Sequence, residues 1–206
     1  MIKKGYSLYL VRSALYGTTF EVTKQIYKQL ITWADTTPGV TGYAIDEKSF
    51  DYFDGDVPKL ATLPLTVAID GRNDFWDTTE FGSLDNPSQS NLVLRAQAEL
   101  GGHRYELFTQ SRFAENTIER KNRQSAQLDL FKAHNLDTTK LECECLMALT
   151  TGALTVSQLA TKFAVSEIKM MVVALRLWLR QRVALPMTTE YLQASWIVRR
   201  VEHATH

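Results

Sequence analysis

The stretch Thr66 to Gly82, TVAIDGRNDFWDTTEFG, limits the fold more than any other segment of the chain. Apolar runs lie on both sides of Asp70-Gly71, a dipeptide that supplies the backbone conformation of a two-residue hairpin turn. Leu65 to Ile69 and Asp74 to Thr78 are therefore predicted to pair as antiparallel strands. Acids follow the turn at Asp74, Asp77 and Glu80. They raise the question of whether this hairpin carries the carboxylates of a metal-dependent nuclease.

Around the hairpin the pattern alternates between helix and strand. Thr19 to Trp33 places Phe20, Ile26, Tyr27, Leu30 and Trp33 near helical spacing, with Thr18 or Thr19 as cap and TTPG (36–39) as stop. Val40 to Ile45 and Phe50 to Phe53 read as short strands. Asp85-Asn86-Pro87-Ser88 opens a helix that Gly101-Gly102 closes near Leu100, Tyr105 to Thr109 is a strand, and Ala114 to His134 is a helix. This order predicts an α/β core with a mixed sheet flanked by helices.

The last third changes character. Helices are predicted over Thr138–Leu149, over Thr155–Phe163 with Gln158 at capping-box spacing, and from Ser166 to about Arg182. The extended pieces VALPM (183–187) and QASWIVRRV (193–201) follow. Helix, helix, turn, long helix and terminal hairpin is the order of a winged helix-turn-helix. The expected division is a core over 1–136 and a winged helix over 137–206.

Composition removes several classes. Of the 206 residues, 45% are hydrophobic and 22% charged, enough for a packed core and against disorder. No apolar run reaches the roughly 18–20 residues that span a bilayer, so no membrane partner is expected. The start, MIKKGYSLYLVRSALYG, reads as a first strand leading into a helix rather than a signal peptide, which implies a cytoplasmic chain. Cys143 and Cys145 point about 200° apart on a helix and read as free thiols. His103, His134, His203 and His206 have no ligand spacing, so no metal is expected. Net charge is zero, yet residues 138–206 carry 8 Lys+Arg against 5 Asp+Glu and the remainder 15 against 18. Residues 44–85 hold ten acids and three bases, a balance that repels phosphate unless metals neutralise it.

In the long C-terminal helix, Ile168, Met171, Val172, Leu175 and Leu179 are predicted to face the core. Lys169, Val173, Arg176 and Arg180 form a separate stripe that would face duplex DNA, with Ser166 and Lys169 approaching bases. The same stripe suits a solvated or protein-docking face. Arg199 and Arg200 fit a wing touching phosphate. Met170, Ala174 and Leu177 lie on a further side, predicted to pack on the N-terminal domain or on another subunit.

Taken in order, FEVTKQIYKQL, PGVTGYAIDEKSFDYFDG, LPLTVAIDGRNDFW, AQAELGGHRYELFTQSRF and the winged-helix segment resemble TnsA-type endonuclease subunits of heteromeric transposases. That family joins a restriction-endonuclease-like domain to a winged helix, and the likeness spans roughly 12–200. It implies that Glu21 stands for the first-helix acid and Pro64 for the motif proline. Leu65 then falls where a metal-binding aspartate belongs. Trp76, Asp77 and Thr78 occupy the "E-V-K" positions, and Gln110 replaces a Glu after Thr109. A leucine cannot ligate Mg²⁺ and a threonine cannot replace a cationic lysine. The resemblance therefore implies a non-catalytic, nucleoid-associated subunit of a mobile element's transposition machinery, without cofactor, that binds duplex DNA, a transposase or another recombination subunit. Two alternatives remain open from sequence. One is an active nuclease with rearranged acids Glu21, Asp70 and Asp77 holding Mg²⁺; the other is a winged-helix transcriptional regulator or adaptor.

Overall fold

Asp70 and Gly71 both take positive φ, 49° and 77°, and Ile69 pairs directly with Arg72 across them. This two-residue turn seeds the sheet, as its Asp-Gly chemistry requires. A computed structural model describes residues 8–79 and 86–201. Glu80 and Asp85, the N-terminal residues before Leu8, and His203 and His206 lie outside the described residues. Contacts divide the described residues into two units. The first holds 8–11, 19–34, 40–79 and 86–115; the second holds 12–18, 35–39 and 116–201. Segment 116–136, expected in the N-terminal core, groups instead with the C-terminal residues.

The chain starts with the short strands β1 (Tyr9–Ser13) and β2 (Thr18–Val22), paired as a two-stranded sheet. The helix expected from Thr19 begins only at Gln25, as α1 (Gln25–Asp35). Thr18, Thr19 and Val22 are β-branched and suit an extended pair, which overrides the helical spacing of Phe20.

In the first unit, β3 (Val40–Asp54), β4 (Val57–Ile69) and β5 (Arg72–Thr79) form an antiparallel meander. The two short strands expected over 40–53 are one long strand, with a register shift between Ile45 and Lys48 where Asp46 takes φ 49°. Helix α2 (Gln89–Leu100) follows, opened by a capping box between Ser88 and Asn91 and closed at Gly101. Strand β6 (Arg104–Thr109) then pairs parallel with β5, so the mixed sheet runs β3-β4-β5-β6. Ala61, Leu63, Phe75, Leu94 and Ala98 form one core, which joins the sheet to α2. Trp33, Phe113, Phe108 and Trp76 form an aromatic chain, with neighbouring ring centroids 5.0–5.6 Å apart. The single helix expected over 114–134 is two: α3 (Gln110–Glu115), and α4 (Thr117–Lys132) capped by Asn116.

In the second unit, α4 is followed by α5 (Thr139–Ala148), β7 (Leu154–Thr155) and α6 (Val156–Lys162). Helix α7 (Glu167–Leu179), β8 (Val183–Ala184) and β9 (Ile197–Arg200) complete it. The three strands pair antiparallel in the order β7-β9-β8. The Thr155–Gln158 capping box forms as its spacing predicts. Helix α7 is buried along Met170–Leu175 and at Leu177, and α4, α5, α6 and β8 all contact it. A helix apolar on most sides must be largely enclosed, and beyond its first turn this one is. Among the described residues no helix is long and apolar enough to cross a membrane.

Candidate functional site

Asp77 is the best-held acid of the hairpin. It lies on β5, 3% exposed, beside the N-terminus of α2 and the middle of β6. Its Oδ2 accepts from Asn91 Nδ2 and from the Tyr105 hydroxyl, both at 2.7 Å, and its Oδ1 accepts from its neighbour Thr78 N at 2.7 Å. Asn91 is also the capping-box residue of α2; its Oδ1 accepts from Ser88 N (3.0 Å) and Ser88 Oγ (2.7 Å). One carboxylate thus ties β5, α2 and β6 together. Burial pushes the Asp77 carboxyl above its ordinary range, opposed by these hydrogen bonds and by the charge of Lys24. Burial also raises Asp46, again opposed by Lys24; burial and then the Asp77 carboxylate drive the Tyr105 hydroxyl upward.

The other acids do not join Asp77. Glu21 is exposed on strand β2, not on the first helix. Asp70 is exposed at the tip of the turn, seven residues before Asp77 on an extended strand, which separates them by roughly 20 Å at ~3.3 Å per residue. Asp74 is buried and accepts from Arg72 Nε at 3.0 Å. Leu65 is 1% exposed and is the direct register partner of Trp76, so the two pack as an apolar cross-strand pair. Among the described residues no group of three or more His, Cys, Asp or Glu could hold a metal ion. Mg²⁺ has no ligand set in Glu21, Asp70 and Asp77, because the fold keeps them apart.

The stripe predicted on α7 is corrected by the structure. Val173 is fully buried. The Arg176 guanidinium donates to Leu136 O (2.6 Å), Ala133 O (2.7 Å) and Thr138 Oγ1. Thr138 Oγ1 donates in turn to Glu142 Oε1 at 2.6 Å, and Arg180 pairs with Glu142 Oε2. Arg176 and Arg180 therefore hold α7 to α5 and to the segment before it. Ser166 caps α7 by accepting from Lys169 N at 3.2 Å. Lys169 is half-buried in the first turn. Ile168, predicted inward, is 76% exposed, whereas Met170, Ala174 and Leu177 belong to the second unit's own core. The core is wider than the predicted face: Met171, Val172 and Leu175 are buried as predicted, Met170, Val173, Ala174 and Leu177 are buried with them, and Ile168 stays exposed in the first turn.

Arg199 and Arg200 do stand at a surface. With Arg182 they line an open cleft of about 740 Å³, whose opposite wall is Leu149, Thr150, Gly152 and Ala153. Ala184 pairs with Arg199, Val183 with Arg200, and Val201 N donates to Arg182 O at 3.0 Å. Arg182 and Arg199 are therefore diagonal cross-strand neighbours on one face, with Cα atoms roughly 7–8 Å apart. All three guanidinium groups lack a carboxylate partner among the described residues. In the sequence Arg182 falls at the expected end of a helix; its place opposite Val201 depends on a pairing between residues almost twenty positions apart.

Compared with known proteins, the chain matches no family model and no curated sequence.

Proposed function

We propose that this chain is a non-catalytic subunit of a DNA transposition or recombination complex, built like the TnsA-type endonucleases and binding duplex DNA together with a partner transposase. The observation that carries the reading is Leu65 against Trp76. In an α-β-β-β-α-β unit with sheet order β3-β4-β5-β6, these two buried side chains fill the positions expected for metal-binding chemistry. Support also comes from Asp77, whose oxygens are engaged by three donors from the protein itself. A carboxylate held this way links elements rather than ligating a metal.

The second unit supplies the binding role. Its helix–strand–helix–turn–helix–strand–strand order, with the central strand last in sequence, agrees with a winged helix-turn-helix. A regulator or adaptor would use the same unit, but it gives no account of the preceding mixed sheet, which favours the recombination reading.

Supercoiled plasmid, incubated with the chain and with Mg²⁺ or Mn²⁺, tests the catalytic half of the proposal. Any transposase encoded beside it is included, since such a subunit can be silent alone. Plasmid retarded on a gel but left supercoiled is the expected result. Nicking that disappears in Asp77→Ala overturns it.

A further inference from the structure

We infer that the cleft formed by Arg182, Arg199 and Arg200 is where the chain grips the sugar–phosphate backbone of duplex DNA, in place of the α7 stripe; this rests on the DNA-binding reading above. The case begins with which cations are available. Arg123, Arg176 and Arg180 in the same unit donate to Thr36, Glu119, Ala133, Leu136, Thr138 or Glu142. Arg182, Arg199 and Arg200 make no such contacts among the described residues and all three line the cleft, Arg182 and Arg199 from the same face of the β8–β9 pair.

The shape and lining select the ligand. Guanidinium forks match phosphate oxygens and remain charged at every working pH. Among the described residues no aromatic side chain lines the cleft, so they offer unpaired bases nothing to stack on, which disfavours single strands. The opposite wall is small and backbone-rich. Gly152 has φ 144° and ψ 177°, a conformation essentially confined to glycine, and a Cβ built there meets nothing within 4 Å. The wall is therefore open to a bulky polyanion instead of closing on a small one. Elsewhere the acid-rich segment 44–85 repels phosphate, so a local cluster of cations without acid partners among the described residues favours the approach of DNA.

Contacts of this kind fix position without reading sequence. Three neutralised phosphates give a log–log salt slope of about −2.7, which amounts to about 40-fold weaker binding between 50 and 200 mM salt. The experiment is an anisotropy titration of a fluorescein-labelled duplex with the full chain, the triple variant Arg182→Ala/Arg199→Ala/Arg200→Ala, and the matching triple Lys variant. The Ala variant is expected to lose about 2.7 units of slope. The Lys variant is expected to keep the slope, because it keeps the charge, and so shows that loss of fold is not the cause. An Ala variant with an unchanged slope overturns the cleft while leaving DNA binding intact. A wild-type chain that binds no duplex at low salt overturns both this inference and the reading beneath it. Arginine-dependent capture of polyglutamate, in preference to the duplex, overturns the inference in favour of an acidic protein partner.

Discussion

Arg176→Ala separates a structural cation from a DNA-binding one. In the structure its guanidinium donates to two backbone carbonyls, Leu136 O and Ala133 O, and to Thr138 Oγ1, holding the segment between α4 and α5 against α7. A hydrogen bond to a charged group contributes about 1.5–3 kcal/mol, and a half-exposed site regains part of that from water. Truncation is therefore expected to cost about 2–3 kcal/mol in all. At about 2–4 °C per kcal/mol for a chain of this size, the melting temperature falls by about 4–12 °C. Arg176→Lys should fall nearly as far, since one ammonium cannot reproduce the fork. Scanning calorimetry reads the first quantity, and the salt slope of duplex binding, measured below the transition, reads the second. An unchanged melting temperature with a slope flattened by about 0.9 would refute the reasoning, because it would mean that the guanidinium neutralises a phosphate instead.

Leu65→Asp introduces the acid that the proposed likeness to a nuclease calls for, but places an unpaired carboxylate beside Trp76 in the core. It should destabilise by about 4 kcal/mol or more in urea titration and yield no Mg²⁺-dependent nicking; appearance of nicking would contradict the non-catalytic reading. The raised Asp77 carboxyl binds its proton more tightly folded than unfolded. Its contribution to stability is thus fully present below about pH 3.8 and is lost as pH rises through the raised folded value. Asp77→Asn should flatten that part of the stability–pH profile, and an identical profile in the variant would remove Asp77 as its source. Met170→Ala should cost about 2–5 kcal/mol, because Met170 lies in the second unit's own core; near-neutral stability would return it to a docking face.

Local chemistry was legible where a short stretch determines its own structure. Asp70-Gly71 dictates a tight turn, Thr155-x-x-Gln158 dictates a cap, and Gly101 ends a helix; each forms in the structure. Strand extent was less legible. The exposed residues Val57 to Leu60 carry no alternation, and they are extended because Asp51 to Asp54 pair with them across a two-residue turn at Gly55. The face of α7 was misread for a physical reason. Ten of its 13 residues are apolar without a clean period, so helical spacing could not say which side faces outward. Cations were harder still. Whether Arg176 or Arg199 is available to a ligand depends on carbonyls and carboxylates tens of residues away, which spacing does not encode. The same holds for Asp77, whose donors come from Asn91 and Tyr105.

The central claim, a DNA-binding subunit whose grip owes nothing to a catalytic metal, is tested most directly by titrating labelled duplex with the intact chain in EDTA and again in Mg²⁺. The account predicts equal affinity in both apart from ionic strength, a log–log salt slope of about −3, and intact duplex at the end of each titration. Binding that appears only with Mg²⁺, or duplex cut in its presence, would contradict it.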